Sequence, residues 1–98
     1  AASDVYKRQV QHCMRFYARH ANPKFRSDAD KKNWFACDSA LKGFTDKERE
    51  MLLTIYREGD TIPDNIYNLS VALEIKQDIL WKLVNELERK VAKRRGLV

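Results

Sequence analysis

The sequence predicts an all-α domain, a compact bundle of about five helices, and three observations support this. Helix-start motifs of the form Ser/Thr-x-x-Asp/Glu alternate along the chain with glycines that follow helical patterns. Apolar residues recur at intervals of three and four, as on one face of a helix. No run alternates apolar and polar residues as a half-buried strand requires. With 98 residues, 3 Gly and 2 Pro, the chain fits one helical domain rather than a β-sandwich or a large α/β enzyme.

The start and stop signals place five helices in order. Their predicted ranges are about Asp4–His20, Asp28–Lys42, Asp46–Glu58, Ile62–Leu73 and a longest helix from about Lys76. Asn22-Pro23 ends the first helix, because the residue before proline avoids the helical conformation. The helix-start motifs begin at Ser27, Thr45 and Thr61. The expected left-handed C-terminal glycines are Gly43, Gly59 and Gly96.

The apolar stripes of these helices predict the core. It comprises Val10, Cys13, Tyr17, Trp34, Cys37, Leu41, Phe44, Leu52, Ile55, Tyr56, Ile66, Leu69, Leu73, Ile75, Leu80, Val84, Leu87 and Val91. The two cysteines are expected to be reduced, buried thiols rather than a disulfide framework. Trp81 falls at the edge of its stripe, where it either covers the core or serves as an exposed anchor for a protein partner.

The residue types present argue against catalysis and metal binding. The sequence has no glycine-rich phosphate loop, nucleophile elbow or paired-carboxylate motif, so we expect no enzyme activity. His12, Cys13, His20 and Cys37 lack the spacing of a zinc site, so we expect no metal and no cofactor. No run approaches the ~20 apolar residues of a membrane span, and we expect a cytoplasmic protein.

The first nine residues carry a separate expectation. The sequence shows no initiator Met, and the string from Ser3 to Gln9 resembles translated sequencing-adaptor read-through. Residues 1–9 are therefore expected to be a non-native leader on a single helical domain of residues 1–98.

The formal net charge of +5 is concentrated at the two ends of the chain. Residues 1–26 and 89–98 each carry +5, whereas residues 27–88 carry −5. Part of the first helix forms one basic face, made of Arg8, His12, Arg15 and Arg19. This face is either a solvated surface or one that contacts phosphates or an acidic partner. The candidate residues for such contacts at both ends are Arg8, Arg15, Arg19, Lys93, Arg94 and Arg95.

The second half of the chain has the length pattern of a helix-turn-helix, a short helix followed by a turn and a longer helix. Three segments carry a further likeness: Thr45-Asp46-Lys47-Glu48-Arg49-Glu50, Val71-Ala72-Leu73-Glu74-Ile75, and the run from Leu80 to Lys90. Over about Thr45–Arg95 the sequence resembles region four of bacterial sigma factors and the small prophage regulators with a similar tail. Glu74 stands where that family's turn usually has glycine, and a left-handed conformation there costs ~1–2 kcal/mol.

The resemblance implies that the first turns of the last helix read base edges. By position, the base-contacting residues are Lys76, Gln77, Asp78, Trp81 and Lys82. Gln can pair with adenine through two hydrogen bonds, and Lys can donate to guanine or to phosphate. Three acids of the same helix, Asp78, Glu86 and Glu88, are expected to repel phosphate.

Two functions follow from these observations. The first is a DNA-binding transcription regulator of phage or mobile-element type, with duplex DNA and RNA polymerase as partners. The alternative is a small phage-encoded protein that inhibits a nucleic-acid-handling host protein or ribonucleoprotein, as anti-CRISPR proteins do. Its basic ends would then contact an acidic or RNA-containing surface.

Overall fold

Five α-helices make up the part of the chain that the structure describes. The computed structural model describes residues 2–20 and 24–97, with side chains from Tyr6 onward. Its helices are α1 (Ala2–Arg19), α2 (Asp28–Leu41), α3 (Asp46–Arg57), α4 (Ile62–Leu73) and α5 (Gln77–Arg94). These residues contain no strand, and none of their helices combines the length and apolar character needed to cross a membrane. The predicted all-α fold of five helices is confirmed, whereas Asn22 and Pro23 lie outside the described residues.

Hydroxyl side chains begin three of the helices, as predicted. At α3 the capping box is reciprocal: Thr45 Oγ1 accepts from the Glu48 amide at 3.2 Å, and Glu48 Oε1 accepts from the Thr45 amide at 2.9 Å. Ser27 and Thr61 each accept one amide hydrogen bond in the same way at α2 and α4. Each bond satisfies a donor that the first helical turn would otherwise leave without a partner.

The predicted role of the glycines is correct at only one of three positions. Gly96 adopts the left-handed conformation, with φ at 71°. Gly43 and Gly59 do not, so the prediction is wrong for both. A Cβ atom at Gly43 would lie 2.9 Å from Nζ of Lys90, which itself lies 4.6 Å from the centroid of the Phe44 ring. Gly43 therefore leaves room for a lysine that crosses from α5.

Helix α5 is the centre of the fold, because it packs against each of the other four helices. Its buried residues are Leu80, Leu83, Val84, Leu87, Glu88, Val91 and Ala92. Helix α1 packs across α2, α3 and α5, and α4 packs on α3 and α5. One continuous core results, to which α1 contributes Val10, Cys13 and Met14.

The predicted core needs correction at its edges. Leu73 is 46% exposed, because it is the last residue of α4 and lies at the rim of the groove between α3 and α4. Tyr17, Leu69 and Ile75 are half-buried and pack against the core from outside. Trp34 is also half-buried, and its ring lies against that of Tyr17 with the centroids 5.0 Å apart. The buried hydrophobic residues that the prediction omitted are Met14, Ala36, Ala40, Ile62, Leu83 and Ala92.

A buried carboxyl group lies inside this core. Glu88 is 2% exposed, and its Oε1 accepts a hydrogen bond from Nε2 of Gln11 at 3.1 Å. The Tyr56 hydroxyl and Oε2 of Glu88 are also buried, and neither forms a hydrogen bond with a described group. Burial raises the pKa of Tyr56, and the charge of Glu88 is close enough to raise it further. Burial raises the pKa of Glu88. The charged form of Glu88 therefore costs stability, since its solvation by water is only partly replaced.

We predict that Glu88→Gln makes the protein more stable at pH 7. The pKa of Glu88 is raised above 4.5 in the folded state. Over a range of pH that begins near 4.5, Glu88 is therefore protonated in the folded protein but ionised in the unfolded chain. Stability from this group is therefore lost as the pH rises through that range. Melting temperatures measured from pH 4 to pH 8 should show the variant gaining on the wild type as the pH rises.

The matched control is Glu86→Gln, since Glu86 is exposed on the same helix and forms a surface ion pair with Lys90 at 3.4 Å. Its effect should stay within about 0.5 kcal/mol at every pH. A difference between wild type and Glu88→Gln that does not change with pH would contradict the prediction.

Both thiols are buried, as predicted. Cys13 and Cys37 are free, and burial raises the pKa of the Cys37 thiol to about 12. Burial also raises the pKa of Cys13. Since the thiolate is the reactive form, the native protein contains two poorly reactive thiols.

We predict that a disulfide reagent at pH 8 leaves both cysteines of the native protein unmodified for as long as the fold is intact. Both should react rapidly once a denaturant unfolds the chain, because unfolding removes the burial that disfavours the thiolate. The absorbance of the released thiol measures the reaction. Rapid modification of one thiol per native molecule would be inconsistent with this burial.

Candidate nucleic-acid interface

A left-handed turn connects α4 to α5. Glu74 has φ 55° and ψ 45°, so it occupies the conformation that the resemblance implied for this position. The Glu74 amide donates to the Val71 carbonyl at 3.3 Å, and the Ile75 amide donates to the Ser70 carbonyl at 3.0 Å. These bonds close the end of α4, and the chain enters α5 after only three residues.

The turn leaves the first turn of α5 outside the core. Of the five predicted base-contacting residues, Lys76, Gln77, Asp78 and Lys82 are exposed at this end of the helix. Trp81 differs, because it is half-buried and packs against the core. Leu80 is the first fully buried residue of α5. The structure thus gathers four of the five on one exposed end.

Charges around this end are nearly balanced. Its two bases are Lys76 and Lys82, and its three acids are Glu74, Asp78 and Glu86. The expectation that Glu88 repels phosphate is wrong, because that side chain is buried beneath α1. The start of α5 therefore carries hydrogen-bonding side chains but no strongly positive electrostatic potential.

Two arginines of the basic face of α1 lie against the end of α3. Arg15 donates from Nη1 to the Glu58 carbonyl at 2.8 Å and from Nη2 to the Asp60 carbonyl at 2.7 Å. Arg19 reaches the same Glu58 carbonyl at 3.3 Å, and Nδ2 of Asn65 donates to the Asp60 carbonyl at 3.1 Å. Positive charge at a helix C-terminus is stabilising, so these two arginines hold α1 to the α3–α4 connection.

The remaining candidates for contacts with phosphates or an acidic partner are either exposed or held against α2. Arg8 and Lys93 are exposed on α1 and α5. Arg94 donates from Nε to Oγ of Ser39 at 2.9 Å, and Arg95 donates from Nε to the side-chain oxygen of Asn33. The last two arginines are thus held against α2.

We use the name basic groove for the cleft that these arginines form with α2. Its lining residues are Lys32, Phe35, Ala36, Ser39, Arg94 and Arg95, and its volume is about 310 Å³. The sequence prediction missed the contribution of α2. A signal was present, since Lys32, Phe35 and Ser39 share a helical face opposite the apolar stripe.

No family model, curated protein or solved structure matches this chain. Within the described residues, no three His, Cys, Asp or Glu side chains come together as a metal site. The surface of the protein offers two kinds of side-chain chemistry. Hydrogen-bonding groups lie at the start of α5, and positive charge with aromatic rings lies at the end of α5.

We predict that Arg15→Ala destabilises the fold by about 1–2 kcal/mol, because it removes two charge-assisted hydrogen bonds to backbone carbonyls. Arg8→Ala is the matched control, since it removes the same charge from an exposed position of the same helix. Its effect should stay within about 0.5 kcal/mol. Urea unfolding followed by circular dichroism measures both, and equal midpoints for the two variants would contradict the assigned role of Arg15.

Proposed function

We propose that the protein is a DNA-binding transcription regulator of phage or mobile-element type, in which α4 and α5 act as a helix-turn-helix on duplex DNA. The observation that carries this proposal is the exposed first turn of α5, which follows a three-residue connection with a left-handed Glu74, while one face of the rest of the helix is buried in the core. A helix presented in this way can enter a major groove with its N-terminal residues foremost.

The exposed side chains supply the chemistry of base recognition. Gln77 has an amide that can donate to and accept from adenine, and Lys76 and Lys82 can donate to guanine or phosphate. Trp81 is half-buried, so its role is to support the helix against the core. The resemblance to region four of sigma factors supports the same use of this helix and makes RNA polymerase a partner to test.

The charges at the start of α5 indicate whether phosphates or bases would contribute more to DNA binding. With two bases and three acids at the start of α5, electrostatic attraction to phosphates is weak there. Discrimination between sequences would then come mainly from hydrogen bonds to bases. We therefore expect a low affinity for random duplex and a larger ratio between a preferred site and random DNA.

A second function is favoured by a different observation. Tyr67, Val71 and Ile79 are large hydrophobic side chains exposed on α4 and on the first turn of α5. Tyr67 and Val71 lie one turn apart on α4, and neighbouring exposed apolar side chains are typical of protein-binding surfaces. A small inhibitor of a nucleic-acid-handling host protein would use this surface for its partner.

We predict that Gln77→Ala weakens binding to a preferred duplex by about 1–3 kcal/mol and changes binding to random duplex little. The preferred site is obtained by selection from a randomised duplex library, and affinities are measured by fluorescence anisotropy. Gln9→Ala is the matched control, because it removes the same amide from an exposed position on α1.

If Gln77→Ala lowers the affinity for preferred and random duplex equally, Gln77 does not contribute to base recognition. If no duplex is enriched even at low salt, where attraction to phosphates is strongest, the regulator proposal is rejected. Replacement of Tyr67 and Val71 by serine should then abolish binding to a host partner if the inhibitor function is correct.

A further inference from the structure

The basic groove continues into a pair of exposed aromatic rings. Phe35 is 49% exposed and Phe25 is 37% exposed, and their ring centroids lie 6.1 Å apart. Phe35 also contacts Trp34 edge-on at 5.2 Å. The two phenylalanines are among the large hydrophobic side chains that the core does not cover, and the ring of Phe35 lines the groove.

Positive charge lines the groove beside the ring of Phe35. Lys32, Arg94 and Arg95 are the three charged residues of its lining, and the two arginines lie against α2. Both guanidinium groups are oriented by hydrogen bonds to Ser39 and Asn33. Less side-chain entropy is lost when a group that is already oriented binds an anion.

We propose that the basic groove, together with Phe25, binds single-stranded nucleic acid. Binding without sequence preference needs a positive surface that follows the phosphates and aromatic faces on which bases stack. In this surface Phe35 stacks on a base, and Lys32, Arg94 and Arg95 contact the phosphates on either side. A duplex fits poorly, because its bases are already stacked and paired and offer no free face to a phenyl ring.

An acidic peptide is a poorer match for the same observations. The carboxylates of an acidic peptide would use only the basic side chains of the groove. A nucleotide chain, with its alternating phosphates and flat rings, would use both the guanidinium groups and the exposed phenyl faces beside them. The structure therefore favours nucleic acid, and an acidic peptide becomes an outcome of the test.

This site is separate from the duplex-binding surface proposed above. The 18 residues of α5 place Arg94 about 25 Å from Gln77 along the helix axis. The two surfaces can therefore be tested independently, and Gln77→Ala should leave single-strand binding unchanged.

The experiment measures anisotropy of fluorescein-labelled oligo-deoxythymidine and oligo-uridine strands of about 12 nucleotides, a length within the usual site size. The wild type should bind at least one of the two strands, and their relative affinities distinguish DNA from RNA. Phe35→Leu should weaken binding at least about fivefold, because it removes a stacking surface, whereas Phe35→Tyr should retain most of the affinity. Circular dichroism verifies that the variants are folded, as expected for an exposed position.

Charge and stacking are separated by two further comparisons. Arg94→Glu should weaken binding and flatten its salt dependence, whereas Lys93→Glu should do so much less, because it makes the same charge change one residue outside the groove. A strand of the same length without bases should bind more weakly than oligo-deoxythymidine and should be insensitive to Phe35→Leu.

Three results would overturn the proposal. One is wild-type affinity in Phe35→Leu, and another is an equal effect of Lys93→Glu and Arg94→Glu. The third is a glutamate-rich peptide of the same charge that binds as tightly as the oligonucleotides, since the groove would then recognise negative charge alone. Failure of duplex binding with intact single-strand binding would reject only the proposed regulator function.

Discussion

Burial of one face of α5 is the interaction on which the rest of the structure depends. That face contacts all four other helices, and its leucines and valines are almost completely removed from water. Burying a leucine side chain contributes about 1.5–3 kcal/mol, so the apolar stripe from Leu80 to Val91 supplies a large share of the driving force for folding. Because the centre of α5 is fixed in this way, both of the binding surfaces that we propose lie at its two ends.

Polar contacts then determine how the outer helices lie around this centre. The connection between α3 and α4 exposes carbonyl groups that need donors, and Arg15, Arg19 and Asn65 supply them from α1 and α4. One turn earlier on the same face of α1, Gln11 binds the buried Glu88 of α5. Helix α1 is therefore positioned by hydrogen bonds to two different helices or connections along its length, in addition to its packing.

The sequence predicted what depends on near neighbours. Helix limits, the caps at Ser27, Thr45 and Thr61, and the buried thiols all follow from residues within one or two turns of each other. The left-handed Glu74 followed from the resemblance, whose family usually has glycine at that position. These features needed no knowledge of how the helices pack.

The errors concern contacts between distant segments. Arg15 meets its carbonyls 43 and 45 residues further along the chain, so a basic face on a helical wheel could not reveal its role. Gly43 is explained by Lys90 rather than by its own conformation. Glu88 lies one turn after Val84 on the apolar stripe, which was a signal of burial, but the charge of the residue argued for the surface. The basic groove escaped prediction because it joins residues of α2 with residues more than 50 positions later.

The central place of α5 also bears on how the protein forms during synthesis. The ribosome adds this helix after the other four, yet it is the one that every other helix contacts. Helices α1 to α4 can contact one another in the growing chain, but their apolar faces lack their common partner until α5 has emerged from the exit tunnel. A chain interrupted before that point exposes those faces to water and to other chains, which favours aggregation. These four helices therefore stay incompletely packed until α5 has been translated, even though they come earlier in the chain.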